Sequence, residues 1–306
     1  MTQKKINMKV DIGGVVWKNP VSTASGVFGF GEEYSSFFDI NALGAICLKS
    51  LTLKKQVGND SPRIAETSSG ILNSIGLQNP GIDFFIKHEL PKLKKICKTN
   101  IIASIAGSSI EEYAIIAEML GSNVNMIELN ISCPNVKEEC ITFGINSKSV
   151  ENITKKIKKV SKVPLIVKLS PNVENICDIS KAAESGGADA LSLVNTFLGM
   201  KIDIKNQKPY FKNTFAGLSG PAIKPIALRM VWQARLATKL PIIGLGGITC
   251  TNDALEFLMA GANAVAIGTY GFFDPLIWPK IKDGIEKYLI ENNINDIKNI
   301  SLTNSY

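Results

Sequence analysis

The sequence predicts an α/β protein, a closed (β/α)8 barrel of parallel strands, on three observations. Eight short apolar runs rich in Val, Ile, Leu and Ala recur along the 306 residues. The runs are continuously apolar rather than alternating, which is typical of parallel strands covered on both faces. Segments with helical periodicity separate most of them, and eight such units favour a closed barrel over an open doubly wound sheet. We expect one domain over residues 1–306.

Each of the eight predicted strands is a short run of β-branched or small apolar residues. In chain order they cover residues 20–25, 44–49, 101–105, 125–131, 164–169, 189–194, 241–245 and 263–267. Before the first strand, residues 8–17 carry Gly13 and Gly14 between two apolar runs. This pattern predicts a β-hairpin, which we expect to close the amino-terminal mouth of the barrel.

Helical segments follow with recognisable ends. Residues 109–120 open with Ser109 as a cap and acidic residues in the first turn. Residues 175–185 end at a Gly-Gly pair, a helix-stop signal, and residues 223–240 and 252–260 also have helical periodicity. Long connections follow three of the strands, at 51–89, 133–149 and 196–220. They are therefore expected as long loops over the carboxyl end of the strands, where barrel enzymes keep their active sites.

The bulk composition suits a globular protein with a large core, because 45% of residues are hydrophobic and 20% are charged. No apolar run reaches the roughly 18 residues of a membrane span, and residues 1–10 lack the apolar region of a secretory signal. These features predict a cytoplasmic protein. The six cysteines form no C-x-x-C pair and the single histidine has no ligand partner, so no metal site is predicted.

The net charge of +7 raises the question of an acidic partner such as nucleic acid. Lysines cluster at residues 92–98 and 155–159, with neither aromatic residues nor arginine interleaved. We interpret these clusters as the solvated faces of amphipathic helices, and we expect no nucleic acid and no membrane among the partners.

Polar residues and glycines stand at the predicted strand ends, where a barrel interior usually carries aliphatic residues. They are Ser25, Lys49, Ser104, Asn130, Lys168, Asn195, the pair Gly246 and Gly247, and the pair Gly268 and Thr269. Because these ends meet at one face, the set predicts a binding site. Glycines after the seventh and eighth strands are typical of the phosphate site of barrel enzymes. The first strand–helix turn lacks G-x-G-x-x-G, which disfavours a nicotinamide-binding Rossmann fold.

Cys133 lies just beyond the fourth predicted strand, beside Asn130 and Asn135. A cysteine in this position at the start of a long loop is a candidate general base or nucleophile. No histidine is available to activate it, which disfavours the chemistry of a cysteine protease.

Several motifs resemble those of class 1 dihydroorotate dehydrogenases, and the resemblance covers almost the whole chain. The chain is most similar to the 1B type, the catalytic subunit of the NAD-linked enzyme. The matching segments are 24–34 (ASGVFGFGEEY), 73–81 (NSIGLQNPG), 128–136 (ELNISCPNV), 194–196 (VNT), 217–225 (GLSGPAIKP), 244–248 (GLGGI) and 266–269 (AIGT). Segments 28–34 and 73–81 favour the 1B type over the 1A type.

The resemblance implies FMN as the cofactor and dihydroorotate as the substrate. The implied cofactor-binding residues are Ser25, Lys49, Ser50, Ser104, Asn130, Lys168, Val194, Gly220, Gly246, Gly247, Gly268 and Thr269. The implied substrate-binding residues are Lys49, Asn73, Ser74, Ile75, Gly76, Leu77, Asn130, Asn135, Asn195 and Thr196. Hydride would pass from C6 of the substrate to flavin N5 while Cys133 removes the proton on C5. Lys168 would stabilise negative charge near flavin N1.

The resemblance also implies a role in de novo pyrimidine biosynthesis and a separate electron-transfer subunit. That subunit would carry FAD and a 2Fe–2S cluster and pass electrons to NAD, in a heterotetramer of two catalytic and two electron-transfer subunits. Some positions depart from the family pattern. Ser104 stands where asparagine is common, Ala216 replaces a glycine, and residues 137–140 replace small residues in the loop after Cys133.

Three alternatives stay open from the sequence. One is a 1A-type enzyme that passes electrons to fumarate. Another is a tRNA dihydrouridine synthase, which is also an FMN barrel with a cysteine, although no RNA-binding extension is evident after Tyr270. The third is a non-catalytic barrel that only scaffolds a partner, which the presence of Lys49, Asn130, Cys133 and Lys168 disfavours.

Overall fold

The computed structural model describes residues 6–131, 143–300 and 302. Within them, parallel strands close a barrel, each strand pairing with its neighbours in chain order and the last pairing with the first. The barrel strands are β3 (Val21–Thr23), β4 (Ala45–Cys47), β7 (Asn100–Ile105), β8 (Met126–Asn130), β9 (Leu165–Lys168), β10 (Ala190–Leu193), β15 (Ile242–Leu245) and β16 (Ala264–Ile267). The predicted (β/α)8 barrel, or TIM barrel, is confirmed, and every predicted strand overlaps one barrel strand, with β7 beginning one residue earlier than predicted, at Asn100.

Helices cover the outside of the barrel. They are α1 (Ile82–Phe84), which continues through a π-helical turn (Phe85–Glu89) into α2 (Leu90–Ile96), then α3 (Ile110–Leu120), α4 (Ser147–Val160), α5 (Ile176–Ser185), α6 (Lys224–Ala237), α7 (Thr251–Met259) and α8 (Ile277–Glu291). The predicted cap at Ser109 is confirmed, since its side chain accepts a hydrogen bond from the Glu112 amide. Asn146 and Asn175 cap α4 and α5 in the same way.

A hairpin of β1 (Val10–Ile12) and β2 (Val15–Trp17) covers the amino end of the barrel, as predicted. Ile12 and Trp17 are fully buried. The carbonyl of Val16 accepts a hydrogen bond from the Asn100 side chain at the start of β7, at 3.1 Å. The hairpin therefore buries the apolar amino end of the strands and leaves the carboxyl end as the functional face.

Two of the three long connections carry regular structure that the sequence did not predict. Strands β5 (Ile64–Thr67), β6 (Gly70–Asn73), β11 (Phe197–Met200) and β14 (Phe215–Ser219) form an antiparallel sheet in the order β11-β14-β6-β5. A hairpin of β12 (Ile202–Asp203) and β13 (Lys208–Pro209) follows β11. We call the four-stranded unit the mouth sheet. It has its own small core of Ala65, Leu72, Phe211 and Ala216.

The lysine-rich segments lie on helix surfaces, as interpreted from the sequence. In α4 the buried residues are Val150, Ile153, Thr154 and Ile157, whereas Lys155, Lys156 and Lys159 are exposed. In the part of the chain that the structure describes, no helix is both long and apolar enough to cross a bilayer.

Candidate active site

A cavity of about 370 Å³ opens at the carboxyl end of the barrel, within the size range of small-molecule sites. Its walls come from the ends of β4, β8, β9, β10, β15 and β16 and from the mouth sheet. Most of the predicted site residues line it. They are Ser25, Lys49, Ser50, Asn73, Ile75, Gly76, Leu77, Asn130, Lys168, Val194, Asn195, Thr196, Gly220, Gly246, Gly247, Gly268 and Thr269.

Four of the predicted site residues are not among the lining residues that the structure describes. The described lining residues do not include Ser74 or Ser104. Ser74 is buried behind the cavity wall, where the Asn59 side chain donates hydrogen bonds to its carbonyl and its hydroxyl, both at 3.1 Å. Ser104 is fully buried beneath Ser50. Cys133 and Asn135 lie outside the described residues.

A chain of hydrogen bonds crosses the cavity floor. The Ser50 hydroxyl lies 3.0 Å from the Ser25 hydroxyl and 2.9 Å from the Ser104 hydroxyl. Asn130 Nδ2 donates to Ser50 Oγ at 3.2 Å, and Asn130 Oδ1 accepts from Asn195 Nδ2 at 3.1 Å. Asn195 Oδ1 in turn accepts from the Thr196 amide at 2.8 Å. These contacts fix the orientation of the Asn130 and Asn195 amide groups. The floor is therefore preorganised for a ligand that carries both hydrogen-bond donors and acceptors.

The end of β8 is held from outside the barrel as well. The Tyr113 hydroxyl, buried on α3, donates to the Asn130 carbonyl at 2.8 Å. Helix α3 therefore fixes the point at which the chain leaves the barrel and enters the segment that contains Cys133.

Two lysines line the cavity in different environments. Lys49 is half-buried, whereas Lys168 is 4% exposed. Lys168 Nζ lies 3.8 Å from Oε1 of Glu128, which is 5% exposed. Burial raises the pKa of the neighbouring Cys47 thiol well above its usual range, the charge of Glu128 raises that pKa further, and Lys168 opposes the effect. Cys47 is therefore a neutral thiol at physiological pH.

Glycines shape the other end of the cavity. Gly220, Gly246 and Gly247 have φ values of +102°, +127° and +74°, in the region that favours glycine. A Cβ atom on Gly247 would lie 2.8 Å from the Lys224 backbone nitrogen and 2.9 Å from the Gly220 carbonyl oxygen. Two chain segments therefore meet at the amino-terminal end of α6 with no room for a side chain, which suits a phosphate group.

Charged side chains join α6 to α7 beside this glycine cluster. Lys224 Nζ donates to Asp253 at 2.7 Å and to Glu256 at 3.0 Å, and Asp253 accepts from the Thr249 amide and hydroxyl at 2.8 Å. Burial alone would raise the pKa of Asp253, but these hydrogen bonds outweigh it and hold the pKa below its usual value. The network fixes the spacing of the two helix ends that flank the glycines.

The mouth sheet provides the roof of the cavity. Asn73 ends β6 and its Nδ2 donates to the Gly217 carbonyl at 3.2 Å. Ile75, Gly76 and Leu77 follow it along the cavity wall. The roof is therefore tied to the same segment, β14, that leads into the glycine cluster at Gly220.

Sequence reasoning missed several residues of the site. Gln78, Thr249, Tyr270 and Phe272 also line the cavity, but neither their type nor their position is distinctive in the sequence. Glu128 is not among the lining residues, but it contacts Lys168, which is, and an acidic residue inside an apolar run was a visible signal. Among the described residues, no group of three or more His, Cys, Asp or Glu residues could hold a metal ion.

Comparison with known proteins agrees with this geometry. A sequence model of the family described as dihydroorotate dehydrogenase matches residues 7–289. The chain belongs to the dihydroorotate dehydrogenase family. The resemblance inferred from the motifs is thereby confirmed.

Curated relatives match almost end to end. A protein of Thermoanaerobacter pseudethanolicus is 54% identical over 296 residues, which cover 96% of this chain and 98% of the relative. Proteins of Alkaliphilus metalliredigens and Brachyspira hyodysenteriae are 52% and 53% identical, covering 97% and 96% of this chain and 98% and 97% of the relatives. All three are named dihydroorotate dehydrogenase B (NAD(+)), catalytic subunit.

Proposed function

We propose that this chain is the catalytic subunit of an NAD-linked dihydroorotate dehydrogenase, which oxidises dihydroorotate to orotate in de novo pyrimidine biosynthesis. The observation that carries the proposal is a single cavity joining a floor of oriented amides and a lysine to a glycine cluster suited to phosphate. Relatives of that name, at least 52% identical over nearly the whole chain, support the same conclusion.

FMN fits this cavity. Its phosphate would lie against Gly220, Gly246, Gly247, Gly268 and Thr269, where bulk is excluded and the hydroxyl of Thr269 is held by Ser219 at 2.8 Å. Ser25, Lys49, Ser50, Asn130, Lys168 and Val194 would line the remainder of the cofactor, with Ser104 acting through Ser50. When bound, FMN would supply a two-electron acceptor.

Dihydroorotate would be held between the floor and the roof of the cavity. Asn73, Asn130, Asn135 and Asn195 carry amides that both donate and accept, which matches the C=O and N–H groups of a pyrimidine ring. Lys49 would pair with the substrate carboxylate, and residues 74–77 with Thr196 would complete the pocket. Cys133 would take the proton from C5, since it stands three residues after Asn130, which ends β8.

The partner proposed for this chain is an electron-transfer subunit with FAD and a 2Fe–2S cluster, in a heterotetramer of two subunits of each kind. The relatives' description as a catalytic subunit supports a partner of this kind. We further propose that the enzyme is cytoplasmic and that residues 1–306 act as one catalytic domain.

The test is co-purification from the source cell followed by an assay of NAD reduction with dihydroorotate. We expect the complex to reduce NAD and the isolated chain to retain dihydroorotate oxidation with an artificial acceptor. Activity of the isolated chain with fumarate would instead indicate a 1A-type enzyme. Reduction of unmodified tRNA, or a colourless chain that takes up no FMN, would overturn the proposal.

A further inference from the structure

Glu128 is an acidic residue in the interior of the barrel, where aliphatic side chains are usual. The pairing of β7, β8 and β9 aligns Ser104 with Glu128 and Asn130 with Lys168. Glu128 therefore faces the interior two residues before Asn130, one layer below the cavity floor. It is 5% exposed, and it belongs to no residue set that the proposed reaction uses.

The Glu128 carboxylate is held from two other strands. Oε2 accepts a hydrogen bond from the Ser192 hydroxyl of β10 at 2.9 Å, and Oε1 accepts one from the Cys47 thiol of β4 at 3.6 Å. The thiol can donate because burial, with the charge of Glu128, keeps its pKa high. These partners hold the carboxylate from β4 and β10, which lie two strands away from β8 on either side in the barrel.

A further neighbour of the carboxylate is Lys168. A buried carboxylate and a buried ammonium group are each costly alone, and the 3.8 Å separation of Oε1 and Nζ lets each offset the other. Because Lys168 also lines the cavity, Glu128 lies directly behind a cationic side chain of the cavity wall.

We propose that Glu128 is a positioning residue that holds Lys168 at the cavity floor and offsets its charge, and thereby sets the reduction potential of the bound FMN. The inference rests on the proposed function, because it requires FMN in this cavity. A charge close to the flavin ring favours the oxidation state of opposite charge, so the net charge of the Glu128–Lys168 pair is the controlling quantity.

Four charge states of the pair can be prepared in the full-length chain. The wild-type pair is neutral in sum, Glu128→Gln leaves a net positive charge, and Lys168→Met leaves a net negative charge. The double variant is neutral again and buries no charge. Glu118→Gln is the matched control, since it removes an equal charge from the exposed face of α3.

The measurement is the two-electron midpoint potential of bound FMN, by spectroelectrochemical titration of each purified variant. We expect Glu128→Gln to favour reduction at least tenfold, an increase of about 30 mV for a two-electron couple. Lys168→Met should lower the potential, and the double variant should return towards the wild-type value. Glu118→Gln should leave the potential unchanged.

Ser192→Ala separates charge from hydrogen bonding. It removes one donor to the carboxylate and keeps both charges, so its shift should be well below that of Glu128→Gln. An equal shift in Ser192→Ala would mean that local geometry, not charge, controls the potential, and the inference would be wrong. An unchanged potential in Glu128→Gln, with only weaker FMN binding or lower stability, would also overturn it and indicate a purely structural role.

A variant that fails to fold still leaves a decisive comparison. If Glu128→Gln does not fold, Glu128→Met takes its place, because it also removes the carboxylate charge with a side chain of similar size, and it must raise the potential at least tenfold above the wild-type value. Equal potentials would refute the inference. Failure of the wild-type chain to bind FMN would refute the proposed function instead, so the two failures are distinguishable.

Discussion

Gly247→Ala is the substitution for which the structure gives the clearest expected magnitude. Gly247 has a φ of +74°, and a Cβ atom there would approach the Lys224 nitrogen at 2.8 Å and the Gly220 carbonyl oxygen at 2.9 Å. Both neighbours are backbone atoms, one at the start of α6 and the other four residues before it, so neither can move aside as a flexible side chain would. The methyl group must therefore push apart the segments that we propose to hold the FMN phosphate.

The cost has two parts. An alanine in left-handed backbone costs about 1–2 kcal/mol, and forcing a methyl group into a packed contact adds about 1–3 kcal/mol. We expect Gly247→Ala to lower the free energy of unfolding by about 2–5 kcal/mol. Gly14→Ala is the matched control, because Gly14 has a φ of +89° with nothing within 4 Å of its Cβ position, at the opposite end of the barrel. It should carry only the backbone cost of about 1–2 kcal/mol.

Urea unfolding and a fluorescence titration with FMN measure the two consequences separately. We expect Gly247→Ala to weaken FMN binding at least tenfold, or about 1.4 kcal/mol, while Gly14→Ala binds FMN as the wild type does. Riboflavin, which lacks the phosphate, should lose much less affinity in Gly247→Ala. Wild-type affinity for FMN in Gly247→Ala would refute the placement of the phosphate at this glycine cluster.

Three further substitutions test other parts of the site. Cys133→Ser should slow reduction of the bound flavin by dihydroorotate about 10²–10⁴-fold at neutral pH, because serine is a much weaker base. Stopped-flow experiments measure this rate, and FMN should stay bound. Wild-type rates would contradict the assignment of Cys133 as the base. Lys49→Ala should weaken orotate binding in a flavin-absorbance titration, and unchanged affinity would count against a substrate role. Asp253→Asn should cost roughly 1.5–3 kcal/mol of stability at pH 7, since the carboxylate accepts hydrogen bonds from Lys224 and Thr249. Because the pKa of Asp253 is lowered in the folded state, its contribution is fully present above the unfolded pKa of about 3.9 and is lost as pH falls through the folded pKa. Urea unfolding at pH 7 and in more acidic buffers should therefore show the difference from wild type shrinking below about pH 4, and a constant difference would contradict this reasoning.

The barrel could be predicted from the sequence because its strands are buried on both faces and therefore read as continuous apolar runs. The strand ends could be predicted for the same reason, since a polar residue such as Asn130 or Lys168 interrupts the run where the strand meets the cavity. Carboxyl ends of parallel strands meet at one edge, so convergence on one face followed from topology without knowledge of any distance.

The mouth sheet could not be predicted in this way. Its strands are short and partly exposed, Gly199 and Gly217 interrupt two of them and Gly70 begins a third, so neither alternation nor apolar continuity marks them. Close packing explains the glycines, because a Cβ atom on Gly217 would meet the Thr196 side chain. Long-range pairing determines this sheet, and single-sequence periodicity carries no information about it.

The sequence also could not predict how deeply each polar residue is buried. Ser104 and Ser50 are both small and polar near strand ends, yet one lies under the other and only Ser50 faces the cavity. The partners of Glu128 lie 81 and 64 positions away in the chain, at Cys47 and Ser192. The register of the closed barrel brings these residues together, and no local pattern records it.

The two ends of the barrel interior have different roles. The amino end is apolar and contributes to stability, whereas the carboxyl end carries the polar groups of the candidate site. Towards the amino end the inward positions include Met126, Ile166 and Ile243, all at most 2% exposed, and the hairpin covers them with Ile12 and Trp17. Towards the carboxyl end the interior turns polar, with groups that are costly to bury unless each has a partner. Those partners come from the chain of hydrogen bonds that runs from Ser25 through Ser50 and Asn130 to Asn195, and from the contacts of Glu128. A preorganised polar floor can therefore exist in this fold because the opposite end provides the apolar burial that offsets its cost.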